Sequence, residues 1–190
     1  MKCNIDKRTE KLVTRSEALD LLENRVGNYA WNKLYRKALF EGVSYPEGCF
    51  YEDIGTTYKL VLKSSRIYYL ETVLYYKYFR NESITTCRTK KALLDEFTMR
   101  MQKYHSLLAW GGYPAEKLEG QLKIIAMDYC VNKTRDLSDY NCVFCENVLR
   151  SCNMVPKEFT WKKKVLFVIF KISPSLLEMI SELWGKKCDA

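Results

Sequence analysis

No stretch of these 190 residues reaches the roughly 20 consecutive apolar positions that a membrane-crossing helix needs. The longest apolar run, Val165 to Phe170, is far too short. Residues 1–11 are mostly charged or polar and hold no apolar leader segment, so the expectation is a chain that is not exported and keeps its eight cysteines reduced. Histidine is almost missing: His105 stands alone. A structural zinc site wants four ligands. Cys142 and Cys145 could share a helical face, with Cys152 further on, but there is no second close pair, and His105 falls on a different expected helix. Buried thiols are the preferred reading. Internal repeats, low-complexity segments and a glycine-rich phosphate loop are also absent.

What is present suffices for a core. Hydrophobic residues make up 47% and charged residues 28%, which argues against a disordered tail and suggests one domain, or one domain plus an appendage. The formal charge is +8, unevenly spread. Between Lys59 and Lys91 there are eight basic residues against two acidic ones. Such a local excess attracts anions, whether nucleic acid, phospholipid or pyrophosphate, or is simply a solvated basic face. Nucleic acid ranks last, because no helix-turn-helix, zinc-finger or stacking-platform pattern accompanies the charge.

Along the chain, Ser16 reads as an N-cap for a short helix ending near Gly27 and Asn28. Gly42 to Gly48 reads as a loop, and Ile54 to Leu62 as a helix with Asp53 at its N-cap. Arg66 to Tyr78 is rich in Tyr, Ile, Val and Leu and suggests strand. Beyond Lys90 the pattern becomes helical, with Leu93, Phe97, Met101, Tyr104 and Leu108 on one face. Gly111, Gly112 and Pro114 break that helix, and three further periodic runs follow. The expected fold is mixed α/β over residues 1–86, then an α-helical bundle over 87–190.

One ordered set stands out between Ala30 and Leu60. It contains Trp31, Lys33, Leu34 and Tyr35, a basic helix expected to end in Leu39 and Phe40, a Pro46-Glu47-Gly48 turn, then Tyr51-Glu52-Asp53 and Thr56-Thr57-Tyr58. The segment ETVLYYKYFRNESIT, from Glu71, follows with Arg80 and Ser83. Over about residues 10 to 86 this order resembles the acceptor-side, C-terminal half of the GT-A domain in bacterial family-two glycosyltransferases, which build capsular and other surface polysaccharides. The fold it implies is a partial GT-A-like unit, and the activity is inverting transfer of a sugar from a nucleotide-sugar to a saccharide or lipid-linked acceptor.

Inverting transfer needs a base to take a proton from the attacking acceptor hydroxyl. The resemblance assigns this to Asp53, with Glu52 positioning the acceptor or tuning its neighbour; the plain alternative is a helix cap. Trp31 offers a flat face for a sugar ring and Lys33 a cation for a phosphate or hydroxyl, against readings as core residue and surface cation. Arg80 and Ser83 suit closure over a departing diphosphate, or are ordinary loop polarity.

The resembled enzymes begin with a nucleotide-binding half whose Asp-x-Asp motif holds a divalent metal, manganese or magnesium. In this sequence no two aspartates are separated by a single residue. Residues 1–28 look like the stretch that joins the two halves. The expectation is therefore no cofactor in this chain and no independent transfer. The chain would be a truncated product, half of a split enzyme, or a non-catalytic interaction or membrane-surface module, partnered by a donor-binding half or another glycosyltransferase. The C-terminal segment from Trp161, with Lys162, Lys163 and Lys164 beside an apolar run, suits either a membrane interface or a final packed helix. It also resembles the tails of family members that act on lipid-linked acceptors. The corresponding location is the cytoplasm, with peripheral contact at the inner face of the cell membrane.

Overall fold

The computed structural model describes residues 10–72, 74–76, 78, 89–132 and 140–185, with side chains to residue 181. The chain divides into two compact units, Met1–Arg88 and Thr89–Ala190.

In the first unit, strand β1 (Glu10–Val13) runs directly into helix α1 (Arg15–Leu21). Thr14, not Ser16, is the N-cap. Its hydroxyl accepts from Glu17 N at 3.2 Å, while Glu17 Oε2 accepts from Thr14 N at 2.8 Å. This reciprocal capping box satisfies two otherwise orphaned donors. α1 continues into a wider π turn, Leu22–Val26, which ends at Gly27. Short 3-10 turns at Ala30–Asn32 and Lys37–Phe40 lead to helix α2 (Glu52–Lys63). The basic segment ending at Phe40 is thus a single short turn where a helix was expected.

Strand β2 (Ile67–Leu70) returns antiparallel to β1, with Val13 opposite Ile67 and Glu10 opposite Leu70. Among the described residues, the expected strand over Arg66 to Tyr78 is cut to these four. Within the described residues β2 pairs through Leu70 opposite Glu10, and an unpaired extended segment beyond gains no ladder hydrogen bonds. The core of this unit gathers Val13, Ala18, Leu19 and Leu22 with Tyr58, Leu60 and Val61. Full burial of a leucine such as Leu19 or Leu60 is worth about 1.5–3 kcal/mol. Arg15 Nε donates to Ser64 O at 3.0 Å and ties the start of α1 to the end of α2.

The second unit is entirely helical among its described residues: α3 (Lys90–Trp110), α4 (Ala115–Asn132), α5 (Tyr140–Arg150), α6 (Trp161–Ile172) and α7 (Pro174–Gly185). α4 packs against the other four. Gly111, at φ +68°, ends α3 in the left-handed conformation that glycine adopts freely. Thr89 and Thr160 cap α3 and α6. The core joins Phe97, Ile125, Met127, Leu149, Phe159, Phe167, Phe170 and Leu177 with the thiols Cys130, Cys145 and Cys152. Asp128 links three helices: it accepts from Arg100 Nη1 at 3.2 Å and pairs with Lys163 Nζ at 2.7 Å. The buried side of α3 is Ala92, Phe97, Met99, Lys103 and Leu107, and Leu108 is exposed. This face is rotated from the expected one.

Among the described residues the chain is mainly helical with one small antiparallel sheet, a mixed α/β arrangement only in that coarse sense. No described helix is long and apolar enough to cross a membrane.

Candidate functional site

The carboxylate pair Glu52–Asp53 opens α2, and the turn that delivers it is unusual. Tyr51 occupies the N-cap position with φ 59° and ψ 32°. Among the described residues it alone has positive φ without being glycine. A bulky side chain in the left-handed region costs about 1–2 kcal/mol, and such strain concentrates at functional sites. Asp53 is therefore not the cap. It lies inside the first turn, where the helix dipole favours a negative charge. Asp53 Oδ1 accepts from Ile54 N at 2.8 Å. Its second oxygen has no hydrogen bond or ion pair among the described residues. Glu52 is exposed, whereas Asp53 is half-buried.

Facing α2 is the loop after the π turn, fixed by side chains. Four successive carbonyls, Val26 to Tyr29, each accept from one. Asn32 Nδ2 donates to Val26 O at 2.8 Å, Lys33 Nζ to Gly27 O at 2.7 Å and Tyr29 O at 2.8 Å, and Thr57 Oγ1 to Asn28 O at 2.8 Å. The Val26 and Gly27 carbonyls at the end of the π turn have no partner within the helix, and Asn32 and Lys33 supply one. Lys33 Nζ also donates to Asn32 Oδ1 at 2.7 Å, so all three ammonium protons are committed. Burial pushes Lys33 down to about 8, and the nearby Asp53 carboxylate opposes that shift. Lys33 thus clamps the loop beside Asp53.

Tyr35 and Tyr45 complete the neighbourhood. Burial pushes the Tyr35 hydroxyl up to about 12, and it raises Tyr45 as well. Thr57 opposes both shifts and the Asp53 charge reinforces them. Both phenols therefore stay protonated through the neutral range. Phe40 bridges the two rings, edge-on to Tyr35 at 5.6 Å and 6.2 Å from Tyr45. Among the described residues, Asn28 Oδ1 and Thr56 Oγ1 are buried without a hydrogen-bond partner, whereas the Tyr35 and Tyr45 hydroxyls lie close enough to each other and to Thr57 to interact, though not in good hydrogen-bond geometry. Buried polar groups are normally paired, so orphans such as Asn28 Oδ1 and Thr56 Oγ1 mark positions where water or a ligand supplies the missing partner.

Trp31 stacks on Tyr29 at 5.2 Å and on Tyr75 at 4.6 Å. The three rings form one partly exposed aromatic run. Arg80 and Ser83 lie outside the described residues. Cys142 and Cys145 are buried in α5, and among the described residues no three His, Cys, Asp or Glu side chains converge as metal ligands would. Sequence reading singled out Asp53, Glu52, Trp31 and Lys33 but passed over Asn28, Tyr35, Tyr45 and Thr57 as contributors. The signal available for them was the density of Tyr and Thr on either side of the Pro46 loop.

No family model matches the chain, and no solved structure matches it. Among curated proteins it is similar to one named glycosyltransferase GlyA from Streptococcus pneumoniae serotype 4. The identity is 37% over 91 residues, covering 46% of this chain and 12% of that protein. The chain therefore spans about an eighth of the length of the curated relative it matches. That similarity supports a relationship to a glycosyltransferase over part of the chain.

Proposed function

We propose that the first unit is the acceptor side of a family-two, GT-A-type inverting glycosyltransferase of surface polysaccharide synthesis. The observation that carries this reading is the second oxygen of Asp53, which has no hydrogen bond among the described residues and sits at a helix start close enough to Lys33, Tyr35 and Tyr45 for its charge to act on them. In the proposed reaction that oxygen takes the proton from a hydroxyl of a saccharide or lipid-linked acceptor. The acceptor oxygen then attacks the anomeric carbon of the donor sugar, and the carbon–oxygen bond to the diphosphate breaks with its electron pair leaving on the diphosphate.

Tyr35 and Tyr45, held protonated by burial, present O–H donors to acceptor oxygens, and Asn28 Oδ1 accepts from an acceptor hydroxyl. The partly exposed rings of the Tyr29–Trp31–Tyr75 run suit a sugar ring's apolar face. Lys33 contributes by holding the loop. Arg80 and Ser83 are assigned to the departing diphosphate. The described residues do not fit a divalent metal, because no ligand group converges and no Asp-x-Asp occurs. No step here runs through one, and donor binding is assigned to a separate donor-binding half.

The test uses this chain together with a donor-binding half. Asp53→Asn should abolish transfer while the circular dichroism spectrum is unchanged. Tyr35→Phe and Tyr45→Phe should raise KM for the acceptor and leave KM for the donor alone. Full transfer by Asp53→Asn would remove Asp53 as the base.

A non-catalytic interaction module is the second reading, favoured by the β1–β2 ribbon. Leu12 and Tyr68 pair across one face, Leu70 lies beside them, and all three are exposed. Two strands alone are marginal, so this reading gives the ribbon a partner strand or surface from another glycosyltransferase.

A further inference from the structure

Helix α6 is apolar on two opposite sides. Its inner side buries Leu166, Phe167 and Phe170. Its outer side carries Trp161, Val165, Val168 and Ile172, which are 72%, 51%, 46% and 76% exposed. At 3.6 residues per turn these four lie within about 60° of one another, on the side away from the core. An outer helix face is ordinarily polar, and a continuous apolar stripe there marks a surface that meets something other than water.

The charges beside the stripe identify what that is. Lys162 and Lys164 lie on either flank, both exposed, while Lys171, the penultimate residue of the helix, donates to Arg150 O at 2.8 Å. Lys162 sits over the Trp161 ring at 5.8 Å. Lys163, by contrast, turns inward to Asp128. Between Trp161 and Ile172 there is no acidic residue. A second copy of α6 laid on this stripe would bring lysine against lysine, with no opposite charge from that helix to fix a register. A bilayer rich in anionic lipid satisfies both features: the apolar stripe and Trp161 enter the headgroup–acyl boundary, and the flanking ammonium groups meet phosphates.

We propose that the outer face of α6 is a peripheral docking surface for anionic membranes, on which the helix lies in the plane of the interface. Nothing in this argument uses the glycosyl-transfer reading, and its failure would leave that reading intact.

The test is flotation of the full chain with vesicles of phosphatidylcholine alone and of equal parts phosphatidylcholine and phosphatidylglycerol. Binding is expected to the mixed vesicles, to weaken with salt, and to be slight on phosphatidylcholine alone. Lys162→Gln/Lys164→Gln should lower the partition coefficient about thirtyfold, from roughly 1 kcal/mol per charge. Val168→Asp, at an exposed position that leaves the core intact, should abolish flotation, with unchanged circular dichroism as the control. Three results would overturn the proposal: no flotation of the unaltered chain, flotation that survives both variants, or a lipid-free dimer in sedimentation that Val168→Asp dissociates. The last would make the stripe an interface between copies.

Discussion

Replacing Gly27 by alanine tests the loop that faces Asp53. Gly27 sits at φ 72° and ψ 171°, a region open essentially to glycine alone, where another residue costs about 1–3 kcal/mol. A Cβ built there would also stand 2.6 Å from Tyr29 Cε2 and 2.8 Å from Cδ2. Carbon atoms in contact need about 3.5–4.0 Å. The Tyr29 ring must therefore shift by about 1 Å or more and loosen its stack on Trp31, an arrangement worth about 0.5–1.5 kcal/mol. The expected loss of stability is roughly 2–4 kcal/mol. It should be read from the slowest-exchanging amides of α2 by hydrogen exchange, which reports the first unit separately. Gly42→Ala is the control: φ is also positive, at +69°, but nothing lies within 4 Å of the added carbon, so only the backbone cost remains. Adding Tyr29→Ala to Gly27→Ala should recover the clash component and leave the backbone one. If Gly27→Ala costs no more than Gly42→Ala, the Tyr29 ring does not pack over Gly27 and the account of this loop is wrong.

Two further outcomes concern charge. Lys33 falls from 10.5 unfolded to about 8 folded, so between those values the unfolded chain holds more protons and stability rises with pH. Tyr35 rises from 10.0 to about 12, so across that range the folded chain holds the extra proton and stability falls with pH. Denaturation of the first unit across alkaline pH should therefore show a maximum near pH 10. Lys33→Met should remove the rising limb and Tyr35→Phe should flatten the falling one, and an unaltered profile in both would refute these assignments. In the second unit, Asp128→Asn should cost about 1–2 kcal/mol in urea denaturation, because Arg100 and Lys163 lose their shared carboxylate while still partly buried. No change would show that the link between α3, α4 and α6 carries no stability.

Local signals in the sequence were read well where a single element decides the outcome. The spacing of Ile54, Tyr58, Val61 and Leu62 matches α2, and Gly111 with Pro114 ends one helix and begins the next as expected. The capping box at Thr14 and Glu17 was equally legible but hidden by Ser16, an adequate cap lying closer to Glu17. What depends on distant partners was not legible. The extent of β2 depends on its pairing with β1, more than fifty residues earlier. The face of α3 is blurred because Ala92, Met99 and Lys103 are buried while Leu108 is exposed. At the site, the carboxylates can be read from sequence, but a tyrosine at positive φ ahead of them cannot, and neither can Lys33 spending all its protons on backbone and Asn32. The Trp31 stack needs Tyr75, which only the folded chain brings near.

The π turn at Leu22–Val26 makes chain length itself a variable of the site. A π turn holds one residue more than the α turn it replaces. Removing a residue there would restore ordinary helix without breaking it, and would swing everything that follows by about 100°. Gly27, the clamped carbonyls and Lys33 would then leave the helix in another direction, away from Asp53, with no side chain of the site altered. An insertion or deletion at this point could thus retune the site where no point substitution would, and lineages that differ by one residue here would present differently arranged sites on the same pair of helices.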